Sequence, residues 1–344
     1  MNVFKSKSLI SVLSDEAMQG ILVVGAGSMG WNHARACSEL GVLTGVCDMD
    51  SRLVKEVSEK FNVKGYTDLK EAISEINPMG VIVATPTTAH FDVASYVINQ
   101  GINVLVEKPL TKNIKDGENL VKMAKESGVI LSVGHIERHN PVITKAKELL
   151  DSGECGEVIT LSSRRVSNFP GRISDVGVIL DLGIHDIDNV IHLMDSEPVS
   201  VFTKGGSHHD IEYEDHATIM ISFSNGKNAL VEVNWITPMK VRTLSLTCAK
   251  TFIQLDYMKQ NLTVSSSKFL DSENPQKYPF KIEIDTKEIP LIFSEPLKLE
   301  IIDFINSIKN KSEPLVNGEQ ALLSLKVTLA AIKSLETGEV IVID

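Results

Sequence analysis

The chain is poor in cysteine, has no long apolar run, and lacks any surplus of positive charge. Its four cysteines, Cys37, Cys47, Cys155 and Cys248, are scattered through 344 residues. None stands in a CxxC pair or at a Cys/His ligand spacing, so free thiols in a reducing cytoplasm are expected. No apolar stretch approaches the ~18 residues that span a bilayer. The opening "MNVFKSKSLISVLSDEAMQG" has a short apolar patch soon interrupted by Asp15 and Glu16, with no convincing leader cleavage site. Residues 1–19 therefore read as an N-terminal extension of a cytoplasmic protein. A formal net charge of -11 argues against a nucleic-acid surface, which carries a basic stripe. It leaves room for a phosphorylated small molecule, because a few local Arg and Lys residues suffice for one.

What is present is an ordinary globular composition, 43% hydrophobic and 23% charged, long enough for two domains with real cores. From residue 20 to about 135, short apolar runs alternate with amphipathic stretches. "GILVVGAGSMG", "VLTGVCD", "GVIVATP", "NVLVEKP" and "VILSVGH" read as strands. The segments between them, such as "SRLVKEVSEKF" and "DGENLVKMAKESG", read as helices. That rhythm predicts βαβ units and a parallel sheet buried on both faces. After about residue 155 the pattern changes. "HATIMISFSNGKNALVEVNWI" holds two alternating runs joined at Asn225-Gly226, the strongest short hairpin signal. "TLSLTCA" and "KIEID" alternate too, which predicts a mostly antiparallel sheet with one face on helices and a Thr/Ser-rich face that is solvated or meets another subunit. "EPLKLEIIDFINSIKN" and "GEQALLSLKVTLAAIKSLETG" are amphipathic helices.

Gly25-Ala26-Gly27-Ser28-Met29-Gly30 is GxGxxG between a strand and a helix. Gly25 permits the tight turn, Gly27 lets a pyrophosphate approach the backbone, and Gly30 allows close packing of the helix. The helix N-terminus adds free N–H groups and a favourable dipole for the anion. Asp48 ends the next strand at the spacing of the acid that binds the adenine ribose hydroxyls. A dinucleotide is therefore expected on a Rossmann domain. The acid favours NAD, while nearby Arg52 keeps NADP possible. In "ATPTTAH", Thr85, Pro86 and Thr87 lie on the cofactor's expected path, although Thr87 or Thr88 could equally cap the helix. His90 follows in the first helical turn.

"VLVEKPLT" ends an apolar strand in Glu107-Lys108-Pro109, and Pro109 has to stop that strand. Ligands of open α/β sheets lie beyond the carboxyl ends of the strands. Lys108 can there hydrogen-bond to a hydroxyl or exchange a proton with it; a Glu107–Lys108 surface pair is the plainer alternative. In "DLGIHDID", Asp181 and His185 are four apart and share a helix face. A carboxylate beside an imidazole can orient it and stabilise its protonated form. Asp181 could instead cap a helix. Asp188 and His192 continue the face, but no further ligands accompany them, and no metal is expected.

With these residues in view, the chain resembles the Gfo/Idh/MocA oxidoreductases over nearly its full length, through "VVGAGSMG", "VCDMD", "ATPTTAH", "EKPLT" and Asp181-x-Gly183-x-His185. The resemblance implies a Rossmann domain, assigned to residues 20–137. It also implies a C-terminal α+β domain, residues 138–344, whose large open sheet mediates homodimers or homotetramers. Glu107 and Lys108 join Gly25, Gly27, Ser28, Met29, Gly30, Asp48, Thr85, Pro86, Thr87 and His90 as expected cofactor residues. Lys108, Asp181 and His185 are the expected catalytic residues, flanking the carbon that exchanges hydride; in many members the Lys-Pro bond is cis. "VGHIERHNPVI", "RRVSNFPGRISDVGVILDLGIHDID" and the closing helix are similar to nucleotide-sugar 3-dehydrogenases such as those acting on UDP-N-acetylglucosamine. A pyrophosphate-bearing substrate would account for Arg138, Arg164, Arg165, Arg172, Lys240 and Arg242. Substrate contacts are accordingly expected from Lys108, Arg138, His139, Arg165, Arg172, Asp181, His185 and Lys240. His139 stands where an aromatic residue would be expected. The alternatives are the same chemistry on inositol, an aldose or a deoxy-sugar, and a non-catalytic NAD-binding regulator.

Overall fold

The structure is a computed structural model that describes residues 20–170, 176–209, 212–269 and 282–343. Residues 1–19 and Arg172 lie outside the described residues. The chain divides into two compact units. One runs to Gly134 and resumes at Leu297–Glu319; the other comprises His135–Pro296 and the chain from Gln320 onward. The expected single boundary near residue 137 thus describes only the first crossing, because the chain returns to its first unit for one helix.

In the first unit, β1 (Ile21–Val24), β2 (Leu43–Cys47), β3 (Lys64–Tyr66), β4 (Gly80–Val83), β5 (Asn103–Glu107) and β6 (Leu131–Gly134) form a sheet of order β3-β2-β1-β4-β5-β6. Every pairing is parallel. The order reverses between β1 and β4, the switch point at which such sheets bind ligands. Strand β1 is buried at every residue, as are β4 and β6. The crossovers are α1 (Ser28–Glu39), α2 (Ser51–Phe61), α3 (Leu69–Ile76), α4 (Thr87–Asn99) and α5 (Ile114–Ser127). Asp50, Asp68 and Asn113 cap α2, α3 and α5 through their side chains.

The second unit holds a nine-stranded sheet of order β14-β13-β12-β11-β7-β10-β9-β8-β15. Its strands are β7 (Val158–Asn168), β8 (Pro198–Gly206), β9 (His216–Phe223), β10 (Asn228–Asn234), β11 (Ile236–Cys248), β12 (Phe252–Asp256), β13 (Asn261–Phe269), β14 (Ile282–Ile289) and β15 (Ile341–Val342). Among the described residues only the central β7–β10 pair is parallel. The hairpin at Asn225-Gly226 joins β9 and β10 as expected, with Gly226 at φ 79°. Strand alternation sends Ala229, Val231 and Val233 inward, along with Ile219 and Ile221, while Met220 and Leu230 point out. On the inner face lie α6 (Pro141–Asp151) and α7 (Ile184–Met194), packed against β7, β10, β12 and β13. Helix α8 (Pro296–Asn310) belongs almost wholly to the first unit, where Phe304 and Ile308 crowd Gly80 at the start of β4. Helix α9 (Gly318–Thr337) belongs almost wholly to the second.

Candidate functional site

In the first unit the Gly-rich turn has the shape its sequence requires. Gly25 sits at φ 96°, and a Cβ there would come within 2.5 Å of the Ala84 carbonyl oxygen. A Cβ on Gly30 would overlap the carbonyl oxygen of Gly25, so α1 can approach the turn only at glycine. Gly27 faces open space within 4 Å, and as N-cap of α1 it offers no side chain to the helix's first N–H groups. An opening over Gly27, bare N–H donors and the positive end of a helix dipole together suit a pyrophosphate. Asp48 braces this turn: its Oδ2 accepts from the Ala26 N–H at 2.7 Å and its Oδ1 from the Asp50 N–H at 2.8 Å. Arg52, the residue that kept NADP possible, is drawn to Asp50 at 2.8 Å. The Arg52 side chain, hydrogen-bonded to Asp50, together with the Arg52 N–H, holds the Asp50 carboxyl down at about 2.

The segment after β4 differs in detail from the expectation. Helix α4 begins at Thr87 with Pro86 as N-cap and no side-chain cap, so neither Thr87 nor Thr88 serves that purpose. Thr85 Oγ1 is buried without a hydrogen-bond partner among the described residues. His90 is fully buried. One ring nitrogen lies 3.0 Å from the Thr85 carbonyl and the other 2.9 Å from that of Pro109, so the ring ties the "ATP" turn to the "EKP" turn.

That second turn closes β5. The Lys108–Pro109 bond is cis, Lys108 is half-buried, and Glu107 is buried beneath it. The surface pair considered from the sequence gives way to an inward arrangement. Glu107 Oε1 meets His33 Nε2 at 2.7 Å, and Oε2 accepts from the backbone N–H of Lys108 at 3.1 Å. Burial alone would raise the Glu107 carboxyl, but His33 and Lys108 hold it below the ordinary carboxylate range.

In the second unit, Asp181 lies in a π-helical turn, Ile179–Gly183, that runs directly into α7, where His185 is the second residue. Single π turns of this kind frequently mark functional sites. The turn is tied down by Glu214, which accepts from the Ile179 N–H at 3.0 Å through Oε1 and from the Val178 N–H at 2.9 Å through its carbonyl. Asp181 and His185 are both half-buried.

The residues that follow them on α7 turn inward. Asp186 receives Arg165 Nε, and Ser163 Oγ at 2.5 Å. Arg165 Nη1 also reaches Glu137 Oε1 at 2.8 Å, and its guanidinium lies 5.2 Å from the Tyr257 ring centroid. Asp188 takes Arg138 through two contacts of 2.7 and 2.8 Å and Ser324 Oγ at 2.8 Å. Arg138 and Arg165 are each 2% exposed. These two expected substrate arginines are thus committed to carboxylates inside the unit, because an unpaired buried guanidinium would be too costly to keep. Desolvation pushes the Arg165 guanidinium down, yet Asp186 and Glu137 outweigh it and leave it raised. His139 is buried beside Arg138, and burial foremost pushes it down to about 4, so it is neutral at pH 7. Arg242 is shared with Glu137 at 3.3 Å. Arg164 points to the opposite face of the sheet, 3.0 Å from Glu232. Of the expected substrate cations in this unit, Lys240 is exposed.

The sequence reading missed Glu137, Asp186, Asn189 and Tyr257, whose Oη accepts from Asn189 at 3.1 Å. It also missed His33 and Glu300. Glu300 did carry a signal: it stands between Leu297, Ile301 and Phe304 on the apolar face of its helix.

An open doubly wound sheet with this Gly-rich turn, followed by a mixed sheet on helices, defines a nucleotide-dependent oxidoreductase, and the chain belongs to the Gfo/Idh/MocA family. Residues 19–135 match the family's NAD-binding Rossmann fold and residues 143–254 its C-terminal domain. The chain is an NAD-binding dehydrogenase of a family acting on sugar and polyol hydroxyls. It is 27% identical to UDP-N-acetylglucosamine 3-dehydrogenase of Acidithiobacillus ferrooxidans, covering 83% of this chain and 87% of that one. A solved structure of that enzyme superposes with a TM-score of 0.84 over 94% of this chain and 99% of its own, at 25% identity. The myo-inositol 2-dehydrogenase of Thermotoga maritima is 26% identical over 91% of this chain and 95% of its own. No described helix is long and apolar enough to cross a membrane.

Proposed function

We propose that the protein oxidises a ring hydroxyl of a sugar, with the 3-hydroxyl of a UDP-N-acetyl-hexosamine as the leading substrate and NAD rather than NADP as the cofactor. The chemistry is supported by two sets of residues: in the first unit the Gly-rich turn with Asp48 and Lys108 after β5, and in the second unit the Asp181–His185 stretch at the π turn. Bound to the first unit, NAD supplies a nicotinamide C4 that accepts the hydride. Lys108 or His185 takes the hydroxyl proton, and Asp181 holds the imidazole for that task. Asp48 would repel a ribose phosphate, and Arg52, paired with Asp50, is occupied elsewhere.

The nucleotide-sugar assignment rests on the Acidithiobacillus relative. A second reading, a free polyol such as an inositol, is favoured by the inward commitment of Arg138 and Arg165, which removes two cations from any pyrophosphate site. The deciding assay follows NADH fluorescence with NAD and UDP-N-acetylglucosamine, beside myo-inositol and glucose. Turnover of the nucleotide sugar alone, lost in Lys108→Ala and His185→Ala, supports the first reading. Turnover of myo-inositol alone replaces the substrate and keeps the site. NAD binding without turnover in either direction makes the protein a sensor.

The outer face of the nine-stranded sheet exposes Met220 and Leu230, which are paired across strands, with Ile159 and Phe252. Such a face suits self-association, as a homodimer or homotetramer. Light scattering on Leu230→Arg should report a smaller particle than the wild type; an unchanged mass would reject the sheet as the interface.

A further inference from the structure

The first unit contains a cluster that the redox chemistry does not use. His33 from α1, Glu107 from β5 and Glu300 from α8 each offer one atom, and these atoms lie within 4.8 Å of one another, all buried. Two of the three are accounted for: Glu107 accepts from His33 and from the Lys108 N–H. The third is not. Glu300 is 1% exposed, and among the described residues neither of its carboxyl oxygens has a hydrogen-bond partner; His33 Nδ1 is likewise buried and unpartnered among them. A buried carboxylate without a single donor is among the costliest groups a fold can hold, whereas a neutral carboxylic acid costs far less and carries a donor of its own. A second carboxyl group within 4.8 Å disfavours ionisation of the first.

We infer that Glu300 is a protonated, neutral carboxylic acid beside the Glu107–His33 pair, and that its neutrality leaves the Glu107 carboxylate to position the peptide of Lys108. The arrangement agrees with the upward push that burial, then Glu107, then Asp303 exert on the Glu300 carboxyl. The charged and titratable groups facing Glu300 are His33 on α1, Glu107 at the end of β5, and Asp303 one turn along α8, with Lys108 acting on Glu107. The link to Lys108 rests on the catalytic reading above; the protonation state does not.

Three measurements on the full-length protein test the cluster. Infrared difference spectra between wild type and Glu300→Gln should contain the C=O stretch of a carboxylic acid at pH 7; absence of that band overturns the proposal. Because the folded protein keeps a proton that the unfolded chain releases, wild-type stability should fall as pH rises above the ordinary glutamate pKa of ~4.3. Glu300→Gln should lack that slope, by one proton per molecule, and parallel slopes count against it. Elemental analysis covers the rival occupant: a stoichiometric divalent metal, lost in Glu300→Gln, would replace the proton with a metal site. For the positioning role, Glu300→Ala should lower kcat on the order of tenfold at an unchanged KM for NAD, and the isosteric Glu300→Gln should restore it. Loss of kcat in both variants, with the infrared band present, rejects the link to Lys108 and leaves the protonation intact.

Discussion

Asp48 holds two positions at once. Its carboxylate fixes the Gly-rich turn through the Ala26 and Asp50 N–H groups, and in the function proposed above the same side chain, just past β2, also binds the adenine ribose of NAD. Hydrogen bonds to charged groups contribute about 1.5–3 kcal/mol each, so both shape and affinity depend on it. Asp48→Ser should raise the KM for NAD by about tenfold to a hundredfold on that scale. It should also move the NAD to NADP ratio of kcat/KM toward NADP, since the repelling charge is gone. A change in KM with the ratio untouched would mean that Asp48 serves the turn only. The arginines teach the opposite lesson about single residues. Nothing local distinguishes Arg138 and Arg165, which are buried, from Arg164, which is exposed. Their fates are decided by Asp186 and Asp188, 21 and 50 residues away along the chain.

Helix α7 concentrates that decision in one element, with Asp186 and Asp188 both facing the interior of the second unit. Burial pushes the Asp188 carboxyl up, but Arg138, His135 and Ser324 outweigh it and leave it depressed. A depressed carboxyl contributes stability that is present above its unfolded pKa of ~3.9 and is lost as pH falls through the folded value. Asp188→Asn should therefore cost about 3–5 kcal/mol at pH 7, because it strands the Arg138 guanidinium. The deficit relative to wild type should shrink in acid. Urea unfolding at pH 7 and pH 3 checks both signs, and a deficit independent of pH would assign the loss to packing. Elements of this kind mark the limit of what the sequence discloses. The six-stranded sheet was legible in part: five of its strands are apolar runs with a Gly-rich turn at the right place, whereas the three-residue β3 gives no such pattern. The hairpin at Asn225-Gly226 was legible from its turn chemistry. The π turn under Asp181 was not, since its one-residue widening leaves the hydrophobic period of α7 almost unchanged. The inward pairing of α7 was hidden as well, because its partners come from β7 and from the 3₁₀ turn Ile136–His139.

At the scale of the whole chain, the order of residues and the order of folding units disagree. The Rossmann unit is not finished at Gly134; it receives Leu297–Glu319 only after eight of the nine strands of the second sheet have been traversed. Helix α8 brings more than bulk to it. Phe304 sets its ring against Gly80, where a Cβ would come within 2.9 Å of the ring edge, and Ile308 lies beside it. Glu300 completes the cluster with His33 and Glu107. The segment after α8 adds edge pairing, with the Val133 N–H donating to the Val316 carbonyl at 3.1 Å and Ser132 bridged to Asn317. A fragment ending at residue 137 would lose all of this. Removing Phe304 alone takes away roughly 3–5 kcal/mol of packing, which approaches the total stability of many domains. The isolated fragment 1–137 should accordingly show a low, broad melt and weak NAD binding. The same fragment with residues 295–319 appended through a flexible linker should regain a cooperative transition and cofactor affinity. Calorimetry and nicotinamide fluorescence on the two fragments read the difference, and a fragment 1–137 that melts as sharply as the linked form would make α8 an accessory rather than a member of the domain.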